Sequence, residues 1–174
     1  MHPSAPRRRS QKYMMQRSTF LGSLASLTGA AVLAPALARA ATGAYAVTHT
    51  DAEWKALLGP DRYVILRQNG TEPAFSSALN EEHRAGLYFC AGCNLELFTS
   101  AMKYDSGDGW PSFWTVLPHT TLTQTDNDIP GEERTEVHCR RCGGHLGHIF
   151  DDGPAPTHLR YCIDGLALQF VAKA

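Results

Sequence analysis

Gly86-Leu87-Tyr88-Phe89-Cys90-Ala91-Gly92-Cys93-Asn94-Leu95-Glu96-Leu97-Phe98 sets a C-x-x-C turn between two short apolar runs. Leu87–Phe89 and Leu95–Phe98 have the length and the aromatic content of strands. A second pair, Cys139-Arg140-Arg141-Cys142, follows with 45 residues between Cys93 and Cys139, and Gly143-Gly144 come directly after it. Each pair can clasp a metal through a tight turn, and two pairs supply the four thiolates of a tetrahedral structural zinc. Such a closed site leaves no position for water, so the metal would staple a small domain whose folding energy includes metal binding. The same spacing also suits redox pairs or disulfides, which an oxidising compartment favours in a metal-free chain. Iron takes the same four-sulfur geometry.

Outward from these knuckles the texture stays that of short strands. Thr135–His138, Leu146–Phe150, Arg160–Ile163 and Leu166–Val171 are brief runs. Glycines and prolines at 107, 109, 111, 118, 130, 131, 153, 154 and 156 break up anything longer. The expectation is a mainly β fold, a compact antiparallel β-sheet domain with short N-terminal helices. Towards the N-terminus, Thr50-Asp51-Ala52-Glu53 is a capping box. Trp54, Leu57 and Leu58 continue it as an apolar helical stripe that Gly59-Pro60 should end. Residues 61–85 read as short helical turns and loops. Neither an internal repeat nor a phosphate-binding glycine loop is present, so a nucleotide cofactor has no support.

The first 40 of the 174 residues read differently. Arg7, Arg8, Arg9, Lys12 and Arg17 precede a weakly apolar run from Phe20 to Leu37, which ends in Ala36-Leu37-Ala38-Arg39-Ala40. Basic region, apolar region and small-residue end, in that order, form an export signal. The expected division is an export signal over 1–40, cleaved, a linker over 41–49 and one domain over 50–174, with location in a bacterial periplasm. A leader retained as a membrane anchor is the alternative, because about 18 apolar residues can span a bilayer. After cleavage no stable membrane insertion is expected. Beyond residue 40 stand 10 Lys and Arg against 17 acidic residues, a formal charge of −7 where the whole chain has −1. That balance offers no general attraction to nucleic acid or anionic lipid.

Four cysteines assigned to a metal leave Cys162, in Leu159-Arg160-Tyr161-Cys162-Ile163-Asp164-Gly165. A lone cysteine can be a buried core residue, since its thiol behaves as a small hydrophobe. Arg160 and a histidine would instead favour the reactive thiolate. Gly144-His145-Leu146-Gly147-His148-Ile149-Phe150 supplies two candidates, and His158 lies near the cysteine in sequence. Asp108-Gly109-Trp110-Pro111-Ser112-Phe113-Trp114 is rich in aromatics. They can fill a core, or Trp110 can form an apolar wall for a methyl or thioether group. Two other classes fit parts of the pattern. A non-enzymatic zinc ribbon leaves Cys162 and the aromatic loop without roles, and a zinc hydrolase needs an open coordination position.

Lys103–Phe113, His145–Phe150 and Arg160-Tyr161-Cys162, with both cysteine pairs and their order, resemble the peptide methionine sulfoxide reductase B family over residues 50–171. The resemblance implies a β-rich, tent-like fold, a structural zinc at Cys90, Cys93, Cys139 and Cys142, and reduction of the R epimer of methionine sulfoxide in proteins or peptides. It implies that Cys162 is the nucleophile, served by His145, His148 and Arg160. Trp110, Phe150 and Asp164 would lie against the substrate. Many relatives carry asparagine where this chain has Asp164, and a resolving cysteine where it has Asp108. Attack by Cys162 on the sulfoxide sulfur would leave a sulfenic acid, which ordinarily condenses with a second thiol. With four thiols on zinc and none at 108, the expected partner is an external reductant, a thioredoxin-like protein or another thiol. The biological role implied is repair of oxidative damage.

Overall fold

A computed structural model describes residues 45–174. The proposed export signal and the first part of the linker lie outside the described residues. Among the described residues no helix is long and apolar enough to cross a membrane.

Helix α1 covers Asp51–Gln68 and starts at the expected capping box: Thr50 Oγ1 accepts from the Glu53 amide, and the Glu53 carboxylate accepts from the Thr50 amide at 2.7 Å. Gly59 does break the helix, at φ 69°, but only as a kink. Pro60 then opens a second helical segment, a position where its missing N–H costs nothing. This segment replaces the loops expected after residue 60. It buries Tyr63, Ile65 and Leu66 beside Trp54 and Leu58 from the first half, and it ends on Asn69 in the left-handed region.

The rest is antiparallel β-structure. Strands β1 (Gly86–Cys90), β2 (Glu96–Thr99) and β9 (Leu168–Ala172) form a three-stranded sheet in the order β2-β1-β9. Strands β3 (Lys103–Tyr104), β4 (Ser112–Phe113), β5 (Thr121–Asp126), β6 (Arg134–Cys139), β7 (His145–Phe150) and β8 (Arg160–Ile163) form the second sheet, ordered β3-β4-β8-β7-β6-β5. The expected mainly β fold is therefore the observed one, with one kinked α-helix among the described residues in place of the short N-terminal helices expected. Strand β5 escaped the sequence reading because Thr-Leu-Thr-Gln-Thr-Asp is a half-exposed edge with one aliphatic residue and no apolar alternation.

Tyr88, Leu97, Phe98, Phe113, Leu146, Ile163 and Leu168 are fully or almost fully buried between these layers. Phe98 and Phe113 stack with ring centres 4.1 Å apart. Burying each such side chain contributes about 1.5–3 kcal/mol, and together they fix the sheets that carry the chemistry.

One glycine decides how closely β7 and β8 approach. Gly147 has φ 145°, and a Cβ there would stand 2.1 Å from the Cys162 carbonyl oxygen. Gly147→Ala should therefore force the two strands apart and cost about 3 kcal/mol, the upper end of overpacking. Chemical denaturation would measure this, and an unchanged midpoint would contradict it.

Candidate active site and thiolate cluster

Antiparallel pairing puts Cys162 on β8 opposite His148 of β7 on one side and Ser112 of β4 on the other. The thiol opens into a pocket of about 120 Å³ lined by Thr71, Trp110, Arg134, Gly147, His148, Phe150, Cys162 and Asp164. Of the residues proposed from sequence, Trp110, His148, Phe150, Cys162 and Asp164 thus meet at one cavity. His145 and Arg160 stand behind its wall.

Each wall residue is held from behind. Trp110 donates its indole N–H to the Glu72 carbonyl at 3.0 Å, which turns the ring's apolar area to the pocket. Glu72 is buried, and its carboxylate accepts from the Gly165 and Leu166 amides at 2.5 and 3.0 Å. Its own amide donates to Asp164 Oδ1 at 2.9 Å. Burial pushes the Glu72 carboxyl up, and the two amides oppose that shift. His148 Nε2 meets Asp126 Oδ2 at 2.8 Å, and Arg134 reaches the same oxygen at 2.5 Å. The Asp128 amide and His148 hold Asp126 down at about 2. Burial lowers His148 despite Asp126, so its imidazole is neutral near pH 7.

His145 is fully buried between two carboxylates, with Nδ1 at 2.5 Å from Glu136 and Nε2 at 3.5 Å from Asp164. Burial pulls it down, but Asp164 and Glu136 outweigh that and hold it above the usual imidazole value. Arg160 lies over the Phe150 ring at 4.4 Å and binds Asp152 through two hydrogen bonds of 2.7 Å. A third contact, at 2.5 Å, ties it to Asp108.

The nucleophile candidate is not a resting thiolate. Burial pushes Cys162 up to about 11, and Asp164 and Asp108 add to the rise while Arg160 opposes it. The pull of Arg160 expected from sequence is present, but desolvation is larger and part of its charge is spent on two acids. Alkylation of Cys162 by iodoacetamide should consequently rise about tenfold per pH unit from pH 7 to 10. Asp164→Asn, which removes one of the repelling charges, should shift the curve to lower pH. A rate already level at pH 8 would contradict the protonated thiol.

Four other sulfurs gather at the ends of β1 and β6. Cys90 Sγ and Cys142 Sγ are 3.7 Å apart, Cys93 Sγ and Cys139 Sγ are 3.5 Å apart, and all four lie within 4.8 Å of one another. A tetrahedron with zinc–sulfur bonds of about 2.3 Å has edges of about 3.8 Å, so the cluster has the size of such a site. No pair is at disulfide distance. The knuckles are strapped in place: the Arg141 guanidinium donates to the Cys93 carbonyl at 3.2 Å, and that of Arg67 to the Cys142 carbonyl at 3.0 Å. Residues 45–47, assigned to the linker, lie on the same knuckle, where the Val47 amide donates to the Arg141 carbonyl.

Sequence reading missed Thr71, Glu72, Asp126, Arg134 and Glu136. Glu72 contacts residues 92 to 94 positions away, and no local pattern signals that.

A family profile described as SelR domain matches residues 58–172. The peptide methionine sulfoxide reductase MsrB of Leptospira interrogans serogroup Icterohaemorrhagiae serovar Lai is 49% identical over 126 residues, covering 72% of this chain and 96% of that protein. The protein of the same name from Thiobacillus denitrificans is 48% identical over 124 residues, 71% of this chain and 94% of that one. Another, from Methanosarcina barkeri, is 47% identical over 125 residues, 72% and 88% respectively.

Proposed function

Since the chain belongs to the SelR-domain, MsrB-type family of peptide methionine sulfoxide reductases, we propose that it reduces the R epimer of methionine sulfoxide in proteins or peptides, with Cys162 as nucleophile. The observation that carries this reading is the juxtaposition of Cys162 with the aromatic walls Trp110 and Phe150 and the imidazole of His148 in one small pocket. The substrate's methyl group packs on Trp110, and its sulfur faces Cys162. As the Cys162 sulfur attacks, a proton from the histidine side reaches the sulfoxide oxygen and the thiol proton passes back to the histidine side, so the oxygen moves as a hydroxyl group. The oxygen then leaves the substrate sulfur for Cys162, giving a thioether and a sulfenic acid. His148 lies at the pocket and His145 holds a proton behind it, beside Asp164. Arg160, beneath Phe150, lowers the cost of charge on Cys162.

Reset requires a thiol from outside. Cys139 closes β6 beyond His138, which pairs with His145, whereas Cys162 pairs with His148. Three residues of strand alone separate those positions by about 10 Å, well outside disulfide reach. A thioredoxin-like protein or another thiol therefore takes the oxygen: two external thiols become a disulfide, and water and the Cys162 thiol are released. Asp108, where a resolving cysteine stands in many relatives, is engaged with Arg160 instead.

Cys90, Cys93, Cys139 and Cys142 hold a structural zinc in this reading, supported by their tetrahedral spacing. Closed by four sulfurs, it anchors the knuckles and takes no part in the reaction. The basic, apolar and small-residue order of residues 1–40 supports export to the periplasm and a role in repairing oxidised proteins there.

The test is turnover of each epimer by the purified protein with dithiothreitol, with zinc measured on the same sample. Conversion of the R epimer and one zinc per chain are expected. Preference for the S epimer would overturn the specificity.

A further inference from the structure

Beside the pocket, towards the end of β6 and the start of β7, lies a cluster that the reductase reading uses only in part. Glu136, His138 and His145 are all buried, and one donor atom from each lies within 4.8 Å of the other two. His138 and His145 are register partners on neighbouring strands. The ring of His138 is tied at one end, because its Nδ1 meets the Gly143 carbonyl at 3.3 Å, and a carbonyl can only accept. Nδ1 therefore donates there, and Nε2 faces inward. There it stands 3.0 Å from Glu136 Oε2 without an aligned hydrogen bond, a buried nitrogen with no partner. A cation held between this nitrogen and the carboxylate oxygen satisfies both, and a divalent metal ion does so while also reaching His145.

The surroundings complete a metal-binding pattern. Ligating histidines ordinarily donate their second ring N–H to a carbonyl or a carboxylate. His138 has the Gly143 carbonyl for this, and His145 has Asp164 Oδ2, 3.5 Å from its Nε2, when Nδ1 is the ligand. Glu136 is oriented by the Gln124 amide, which donates to Oε2 at 2.6 Å. We propose that Glu136, His138 and His145 form a second metal site, taking a zinc-like divalent cation through one carboxylate and two imidazoles, and that its occupation switches the reductase off.

Two nitrogens and an oxygen suit Zn²⁺ and leave one position of a tetrahedron free. Entry of the cation displaces the proton that His145 Nδ1 shares with Glu136. His145, once a ligand, no longer keeps a proton for the neighbouring pocket. The binding claim stands independently of the reductase reading, whereas the inhibition claim rests on it.

The experiment uses the zinc-loaded protein, pre-reduced and freed of thiols, and adds Zn²⁺. Metal content should rise from one to two per chain in the wild type and stay at one in His138→Leu. In the wild type, histidine ring ¹⁵N resonances should move at His138 Nε2 and His145 Nδ1; this arm needs no variant to fold. Single-turnover reduction of methionine sulfoxide should fall about 100-fold with the second equivalent. In His138→Leu, the rate should be the same with and without added Zn²⁺. A wild type that stays at one zinc, or a second equivalent that persists in His138→Leu, overturns the site. Two zincs with shifted ring nitrogens but an undiminished rate retain the site and overturn the switch. Absence of reduction before zinc is added would instead refute the reductase reading.

Discussion

Cys162→Ser should fold, keep its zinc and lose methionine sulfoxide reduction by at least about 1,000-fold, the scale expected when a nucleophile is removed. The substitution is nearly isosteric at a half-buried position that carries no side-chain hydrogen bond essential to the sheet, so stability should change little. A hydroxyl in the same pocket meets the same desolvation but has a much higher intrinsic pKa and far weaker nucleophilicity towards sulfur. Circular dichroism, zinc content and turnover on one preparation separate chemistry from folding. Residual activity above a few per cent, with the protein folded, would contradict the assignment. The wild type gives the complementary result. One equivalent of sulfoxide without reductant should leave a trappable sulfenic acid on Cys162, retained zinc and no new intramolecular disulfide. A disulfide from Cys162 to one of the four clustered cysteines, formed with zinc loss, would make the metal site part of the redox cycle.

Cys93→Ser carries the second large effect. Zinc in a four-sulfur site is worth on the order of 10–16 kcal/mol in apparent binding energy, which is also folding energy. Removing one thiolate from the cluster should drop zinc below one half per chain and lower Tm by more than about 10 °C. Cys93 is the most exposed of the four, so the serine itself adds little packing penalty and the loss reports on the metal. Full zinc retention with an unchanged Tm would sink the staple.

The parts of the site that sequence exposed are those with local chemical signatures. Two C-x-x-C pairs announced a four-sulfur cluster, and Cys162 stood out by subtraction. Trp110 is notable in a turn-rich segment, and the two histidines by their close spacing in His145-Leu146-Gly147-His148. Beyond these, the pocket depends on contacts between remote segments. Glu72 lies in a loop with no neighbouring partner, yet it fixes Trp110, Asp164 and the turn after β8 at once. Asp126 closes an edge strand too polar to be recognised, and it orients His148 across 22 positions. The protonation of Cys162 is only partly legible for a related reason. Neighbouring charges can be read from sequence, but the desolvation that outweighs them depends on the packed sheet. The continued helix after Gly59 depends similarly on a buried face, Tyr63, Ile65 and Leu66, rather than on the Gly-Pro signal itself.

The strand order also sets a schedule. Strand β8, which carries Cys162, is inserted between β4 and β7, and β9 covers β1. Both arrive only with residues 160–172, so neither sheet can close while a growing chain stops short of them. The two C-x-x-C knuckles, by contrast, are complete by residue 142. On a chain emerging from N- to C-terminus, the four thiols are present before the nucleophile has been made. A metal captured at that stage would bring β1 and β6 together first and limit the sulfurs' exposure to stray oxidation. The reactive cysteine would then enter a scaffold whose other cysteines are already occupied.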